Sequence, residues 1–280
     1  MGVTRIVRSF MQEPRGFIKF LRLGLNKGIS PREPVFIVGP PRSGTTMLAN
    51  HLLGLKGFCG PDSETGYFML TNPYLVEMSP MAESTWKEFV RESKSKTELF
   101  DRAIEYFLAQ DNGEFFVEKT PQHCLSIHEI LRLWPKAKVI GIIRHPLDCV
   151  SSAMSHKDFI RQGRNARSAI GYWRKCAESI LEMNNLPGNC LVIRYEDLVR
   201  NPKMMAEITS FINGSYREFE IENYGQHKYR GRKGFELIDK PFTDVRIGKW
   251  QEKLSSAEVE FCWKRVHDLA VNFKYTLDCE

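Results

Sequence analysis

A chain of 280 residues that is 42% hydrophobic, 26% charged and 11% aromatic has the make-up of a globular protein, which excludes a disordered chain, a collagen-like repeat and a disulfide-stapled miniprotein. Its 40 Lys and Arg against 34 Asp and Glu leave a formal charge of +6, enough to favour anionic partners without requiring nucleic acid. Six of the basic residues (Arg5, Arg8, Arg15, Lys19, Arg22 and Lys27) fall within residues 1–28 beside one acid, Glu13, so an anion site in the body must be a local cluster.

Residues 1–30 mix those cations with Ile6, Val7, Phe10, Phe17, Ile18 and Leu21. Such a basic amphipathic segment reads as a helix or two packing on the body, or as a peripheral contact for an anionic membrane or partner. Pro31 and Pro34 punctuate the chain and open a domain over residues 31–280. Val35–Val38 is an apolar run ending in a Gly-rich turn, and a helix follows over Thr45–Leu55. Phe115–Val117 leads to a helix over Cys124–Leu133, Lys138–Ile143 to a helix opening at Pro146, and Cys190–Ile193 to a helix over Pro202–Ile212. Helical patterns near residues 97–110 and 167–183 fill the longer gaps. Apolar strands that each feed a helix predict an α/β fold: a P-loop-type parallel sheet flanked by helices on both faces, in a single domain with helical insertions.

Seven cysteines at wide intervals, with no C-x-x-C pair, indicate neither a zinc site nor a disulfide framework, so no metal is expected and a reducing, cytoplasmic compartment fits. No apolar run approaches the ~18 residues of a membrane span. Met1-Gly2 invites N-myristoylation, but Ile6 stands where that motif needs Ser or Thr.

In a parallel sheet, ligands bind beyond the C-terminal ends of the strands. That directs attention to residues 39–46, 118–123, 144–152 and 194–197, among which cations recur. Gly39-Pro-Pro-Arg-Ser-Gly-Thr-Thr46 lies between a strand and a helix, where backbone N–H groups and a helix N-terminus cradle an anion. Set against G-x-x-x-x-G-K-[ST], Gly39, Gly44 and Thr46 are in place, but Thr45 stands at the Lys position. A nucleoside triphosphatase uses that Lys, with Mg²⁺, on the β- and γ-phosphates. Arg42 with the hydroxyls of Thr45 and Thr46 suits a smaller anion carried without a metal. A degenerate P-loop kinase or nucleotide hydrolase is the alternative.

The stretch P-P-R-S-G-T-T (Pro41, Arg42, Ser43, Gly44, Thr45 and Thr46 within it) resembles the 5′-phosphosulfate loop of sulfotransferases that use 3′-phosphoadenosine-5′-phosphosulfate (PAPS), in their bacterial and tyrosylprotein-sulfotransferase-like branch. Further segments match in order. The resemblance implies that Arg144 and Ser152, eight residues on, hold the 3′-phosphate; a plainer reading makes Arg144 a sheet-edge cap paired with Asp148. Glu118-Lys-Thr-Pro-Gln-His123 resembles E-K-T-P-x-H, which would put Lys119 near the sulfonate and the bridging oxygen, with Arg42 completing a cationic clamp. Tyr195, in Y-E-D-L, would meet the adenine region or simply pack at the end of a strand. Lys249-Trp250 matches a late cofactor-closing turn, and Arg232-Lys-Gly234 resembles a rival one.

Sulfonyl transfer also needs a base for the acceptor hydroxyl. Cys59-Gly-Pro-Asp-Ser-Glu-Thr65 resembles a G-E-E-T stretch whose Glu is that base, which implies Glu64, with His123 as the other candidate. The insertions 66–114 and 156–186 carry Tyr67, Phe68, Tyr74 and Trp86, then Arg161, Arg164, Arg167, Tyr172, Trp173 and Arg174, the expected lining of an acceptor pocket. A glycan or small-molecule alcohol is the expected acceptor ahead of a protein tyrosine.

Overall fold

The computed structural model describes residues 14–26, 28–70, 72–156, 163–186, 188–213 and 242–277. Helix α1 (Pro14–Leu25) precedes strand β1 (Val35–Val38), helix α2 (Thr45–Leu53) and the short strand β2 (Phe58–Cys59). Helices α3 (Glu83–Glu92) and α4 (Lys96–Gln110) lead to β3 (Phe115–Lys119), a 3₁₀ turn (Pro121–Ser126) and α5 (Ile127–Leu133). Then come β4 (Lys138–Ile143), α6 (Pro146–Met154), α7 (Ala166–Glu182), β5 (Cys190–Arg194), α8 (Tyr195–Arg200) and α9 (Met204–Asn213). The short helices α10 (Trp250–Lys253), α11 (Ser256–Trp263) and α12 (His267–Ala270) follow near the C-terminus.

The strands form one five-stranded sheet in the order β2-β3-β1-β4-β5, every pair parallel. Val35 sits opposite Val117 on one side and Lys138 on the other, which puts β1 in the middle. Successive side chains of a strand point to opposite faces. Phe36 and Val38 accordingly join Phe100, Trp134 and Trp173 in one layer, while Val35 and Ile37 join Leu48, Leu52 and Ile208 in the other. Both faces are covered, so β1 is wholly buried and its sequence reads as an unbroken apolar run. The fold is the expected α/β arrangement, and its parallel strands deliver the loops after β1, β3, β4 and β5 to one edge.

Local differences from the sequence pattern have local causes. Strand β3 runs two residues further than its apolar pattern, because Glu118 and Lys119 are polar yet buried. Tyr195, just beyond the last apolar run, opens α8, whose first turn carries Glu196 and Asp197, acids suited to a helix N-terminus. The helix after the Gly-rich turn stops at Leu53 because Gly54 caps it. The stretch from Cys124 begins as the end of the 3₁₀ turn that starts at Pro121 and becomes α-helical only from Ile127. Of the N-terminal segment, residues 1–13 lie outside the described residues, and α1 is fixed to the body: Lys19 Nζ donates to the carbonyls of Arg91 (2.9 Å) and Ser93 (2.7 Å), and Asn26 to that of Lys94 (2.9 Å). Among the described residues no helix is long and apolar enough to cross a membrane.

Candidate active site

The loop between β1 and α2 is curled by left-handed residues at Arg42 (φ 73°) and Gly44 (φ 101°). Turns of this kind aim N–H groups into a concavity that binds anions. At Gly44 the side chain is forbidden twice over, since a Cβ there would also lie 2.6 Å from the Tyr195 ring. Arg42 holds the same kind of conformation with a full side chain, a strain of about 1–3 kcal/mol of the sort concentrated at ligand clamps. The first intrahelical bond of α2 runs from Leu48 N to Gly44 O at 3.0 Å, so the N–H groups of Thr45, Thr46 and Met47 face the loop side. Ser43 Oγ is buried with no hydrogen-bond partner among the described residues.

Arg42 and Arg144 meet at this loop. Arg144 Nη1 donates to the Arg42 carbonyl (3.3 Å), and Nη2 donates to the carbonyl of Arg246. Its guanidinium lies 4.5 Å from the Tyr195 ring and 3.6 Å from Asp148, while Trp173 Nε1 holds the Arg144 carbonyl at 3.0 Å. The pairing with Asp148 is present, as the plainer reading had it, yet Nε of Arg144 is buried without a partner among the described residues. Ser152 accepts from Arg42 Nε at 3.1 Å, so it is joined to the loop arginine instead of to Arg144. Burial, and next the Arg144 charge, hold Arg42 below its ordinary pKa; Arg246 acts in the same sense and Glu64 opposes them. Burial also works against the charge on Arg144, but Asp148 and weaker neighbours outweigh it and its pKa is raised.

Glu64 and Lys119 form an ion pair of 3.0 Å between Oε1 and Nζ, with Lys119 3% exposed and Glu64 38%. The loop that carries Glu64 is pinned by its neighbours. Thr65 Oγ1 donates to Glu118 Oε1 (2.8 Å), Gly66 N to Thr120 Oγ1 (3.1 Å), and Phe68 N to His123 Nε2 (3.3 Å). Glu118 also accepts from Thr120 (2.6 Å) and, on Oε2, faces His123 Nδ1 at 2.9 Å. Since Phe68 donates to Nε2, the neutral imidazole carries its proton on Nδ1 and gives it to Glu118. His123 is fully buried with both nitrogens engaged, so the E-K-T-P-x-H segment uses its first and last residues to set the Glu64 loop.

Burial alone would push the Glu118 carboxyl up, but His123, Thr120 and Thr65 outweigh it and the pKa is lowered. A carboxyl held below its ordinary value stabilises the fold above the ordinary carboxylate range and loses that contribution as pH falls through the lowered value. The melting temperature of the native protein should therefore exceed that of Glu118→Gln at neutral pH, with a gap that narrows as the pH is lowered through and below the ordinary carboxylate range of about 4. A gap constant across that window would contradict the ionised state assigned to Glu118.

The late segment is held at the site through its backbone. Asp148 accepts from Gly248 N (2.9 Å) and Trp250 N (3.1 Å), strapping residues 246–250 to the head of α6. Trp250 is buried flat on His145 (centroids 5.8 Å apart), and Lys249 is paired outward with Glu252 at 2.8 Å. Arg246 is the strap residue whose charge is felt at Arg42 and Tyr195. Arg232-Lys-Gly234 lies outside the described residues. Sequence reasoning gave no role to Arg246, Thr65 or Thr120 and only the plain pairing role to Asp148; the carboxylate four residues after Arg144 was the one signal available.

The expected acceptor lining is largely core. Phe68 and Trp86 are buried with Tyr67, whose ring packs on Phe100 at 4.8 Å, and Trp173 is buried in the same layer. Arg174 is tied to Asp268 and Glu178, and Arg167 lies over Phe261 at 4.8 Å. Arg161 is outside the described residues. Large aromatics between strands had a core to fill, and that is where they went.

Known proteins share this fold and parts of this sequence. A family model described as "Sulfotransferase family" matches residues 34–217. A Caenorhabditis briggsae protein named "Putative protein-tyrosine sulfotransferase" is 28% identical over 201 residues, covering 68% of this chain and 69% of that one. The sulfotransferase domain of the Synechococcus PCC 7002 olefin synthase superposes with a TM-score of 0.66 at 21% identity, over 90% of this chain and 98% of that domain. A mouse sulfotransferase solved in complex with PAP gives 0.52 at 16% identity, over 92% and 91%. The two structures share the fold, and the family model spans more than half of the sequence, including the Gly-rich loop, Glu64, Lys119 and Arg144. The chain belongs to the sulfotransferase family, the transferases of sulfur-containing groups.

Proposed function

We propose that this sulfotransferase takes its sulfonate from PAPS and passes it to an acceptor hydroxyl, with Glu64 as the base. The observation that carries the reading is the joining of two halves at one sheet edge: the strained Arg42 loop with Arg144, and the Glu64–Lys119 pair whose carboxylate is felt at Arg42. The donor set fits a nucleotide with anionic groups at both ends. Ser43 Oγ and Arg144 Nε are buried donors without partners among the described residues, and the α2 N-terminus adds oriented N–H groups.

On this reading Pro41, Arg42, Ser43, Gly44, Thr45 and Thr46 hold the 5′ end, and Arg144 with Arg246 the 3′ end. Ser152 positions Arg42, and Tyr195 positions both the loop and Arg144. PAPS, when bound, supplies the sulfonate. Lys119 keeps Glu64 Oε1 engaged, which leaves Oε2 to accept the hydroxyl proton of an acceptor. Arg42 and Lys119 supply positive charge where the bridging oxygen becomes anionic. Glu64 is preferred to His123 because it is exposed, whereas both imidazole nitrogens of His123 are committed inside the protein.

Titration calorimetry separates this from the kinase or hydrolase alternative. PAP, the desulfonated 3′,5′-bisphosphate, should bind more tightly than ATP with Mg²⁺; the opposite order would overturn the assignment. For the acceptor, a glycan or small-molecule alcohol is the reading, tested by uptake of radiolabelled sulfonate across sugars, alcohols and phenols. Label entering tyrosyl peptides or phenols alone would replace it.

A further inference from the structure

Helix α1 is apolar on two opposite sides. At ~100° per residue, Gly16 and Leu23 fall on the side facing the body. There Gly16 abuts Asn72, where a Cβ would come within 2.2 Å of Oδ1; Leu23 is buried, and Lys96 Nζ lies over the Phe20 ring at 5.3 Å. Pro14, Ile18, Leu21 and Leu25 cluster within ~60° on the opposite side, where a surface helix ordinarily carries polar residues. Ile18 is 42% exposed, Leu21 49%, Leu25 79%, and Ile29 just beyond the helix 69%. Leu75, also exposed, lies in the turn Pro73–Leu75 on which α1 packs.

Charge decides what this face meets. The helix carries Arg15, Lys19 and Arg22 and no acid. Arg15 and Arg22, seven residues apart, are both exposed and run along one flank of the apolar stripe. Lys19 is turned inward to the carbonyls of Arg91 and Ser93. A second copy of the chain would bring like charges together across such a face. A bilayer with anionic headgroups takes the stripe into its interfacial region and the arginines to its phosphates.

We propose that the outward face of α1 docks this enzyme on an anionic lipid surface, with Ile18, Leu21 and Leu25 inserted and Arg15 and Arg22 on the headgroups. The proposal does not depend on the donor or on the base. The rest of the fold supports it: α1 is held by side-chain bonds to carbonyls of the last turn of α3 and of the two residues that follow it, so it can lie flat on a surface without leaving the body.

The test is co-sedimentation of the full chain with vesicles of neutral phosphatidylcholine and with vesicles containing about 30% phosphatidylglycerol. The wild type should partition onto the anionic vesicles at least tenfold more strongly than onto neutral ones. Arg15→Glu with Arg22→Glu should remove that preference, and Ile18→Glu with Leu21→Glu should abolish binding to both, with PAP affinity unchanged throughout. If the double Glu variant loses PAP affinity, Leu25→Glu replaces it as the deciding variant. Equal partition of the wild type onto both vesicles, or retained binding by the apolar-face variants, would overturn the proposal. So would a wild-type dimer that ignores vesicles and that these substitutions split, since the face would then belong to a second copy.

Discussion

Glu64→Gln is expected to lower kcat by about 10²–10⁴-fold, the usual contribution of a positioned general base, and to leave PAP affinity close to the wild-type value. The substitution is clean for physical reasons. Glutamine has the same length, and its carbonyl oxygen can keep accepting from Lys119 Nζ, so the 3.0 Å contact survives while the capacity to take a proton is lost. The side chain is more than a third exposed, so the fold should tolerate the change. Its neighbour Thr65 anchors the loop to Glu118, and that bond is untouched. The measurement pairs steady-state turnover with PAP calorimetry. Turnover that persists at the wild-type rate would remove Glu64 from the proton transfer. His123 would remain an implausible heir, because freeing either ring nitrogen means breaking its bond to Glu118 or to Phe68 N.

The sheet was legible because burial on both faces writes itself as short apolar runs. Val35–Val38 and Lys138–Ile143 have the expected bounds, and the turn chemistry of Gly39 to Thr46 announces the anion loop between strand and helix. Less visible were contacts whose partners are far apart in sequence. Nothing near Asp148 foretells that its two oxygens take the N–H groups of Gly248 and Trp250, a hundred residues on. The inward turn of Trp250 and the outward pairing of Lys249 follow from that strap, and they shift attention to Arg246. Similarly, the motif that puts forward His123 as a candidate base gives no sign that Glu118 is a buried carboxylate satisfied by Thr65, Thr120 and His123. Aromatic residues in the insertions carried no signal to distinguish a ligand wall from a core wall. Burial distinguished them.

Arg144→Ala should cost at least ~10²-fold in PAP affinity, since a hydrogen bond to a charged group contributes about 1.5–3 kcal/mol and the guanidinium fork offers more than one. It should also cost the fold about 3–5 kcal/mol, the usual penalty for leaving one member of a buried ion pair behind. The member left behind is Asp148, which is fully buried and also holds the strap. The two effects can be pulled apart. Adding Asp148→Asn to Arg144→Ala removes the stranded charge and should recover part of the lost melting temperature. Recovery stays partial because an amide has one oxygen where the carboxylate used two, so one of the Gly248 and Trp250 N–H bonds is lost. PAP affinity should not recover at all, because the strap is re-anchored in part but the cation is gone. Arg144→Lys is the complementary probe: it keeps the charge, loses the fork, and should lie between the wild type and Arg144→Ala in affinity. A double variant that regains stability and binds PAP like the wild type would show that Arg144 serves the sheet edge and its Asp148 alone, and the nucleotide would need another grip at its far end.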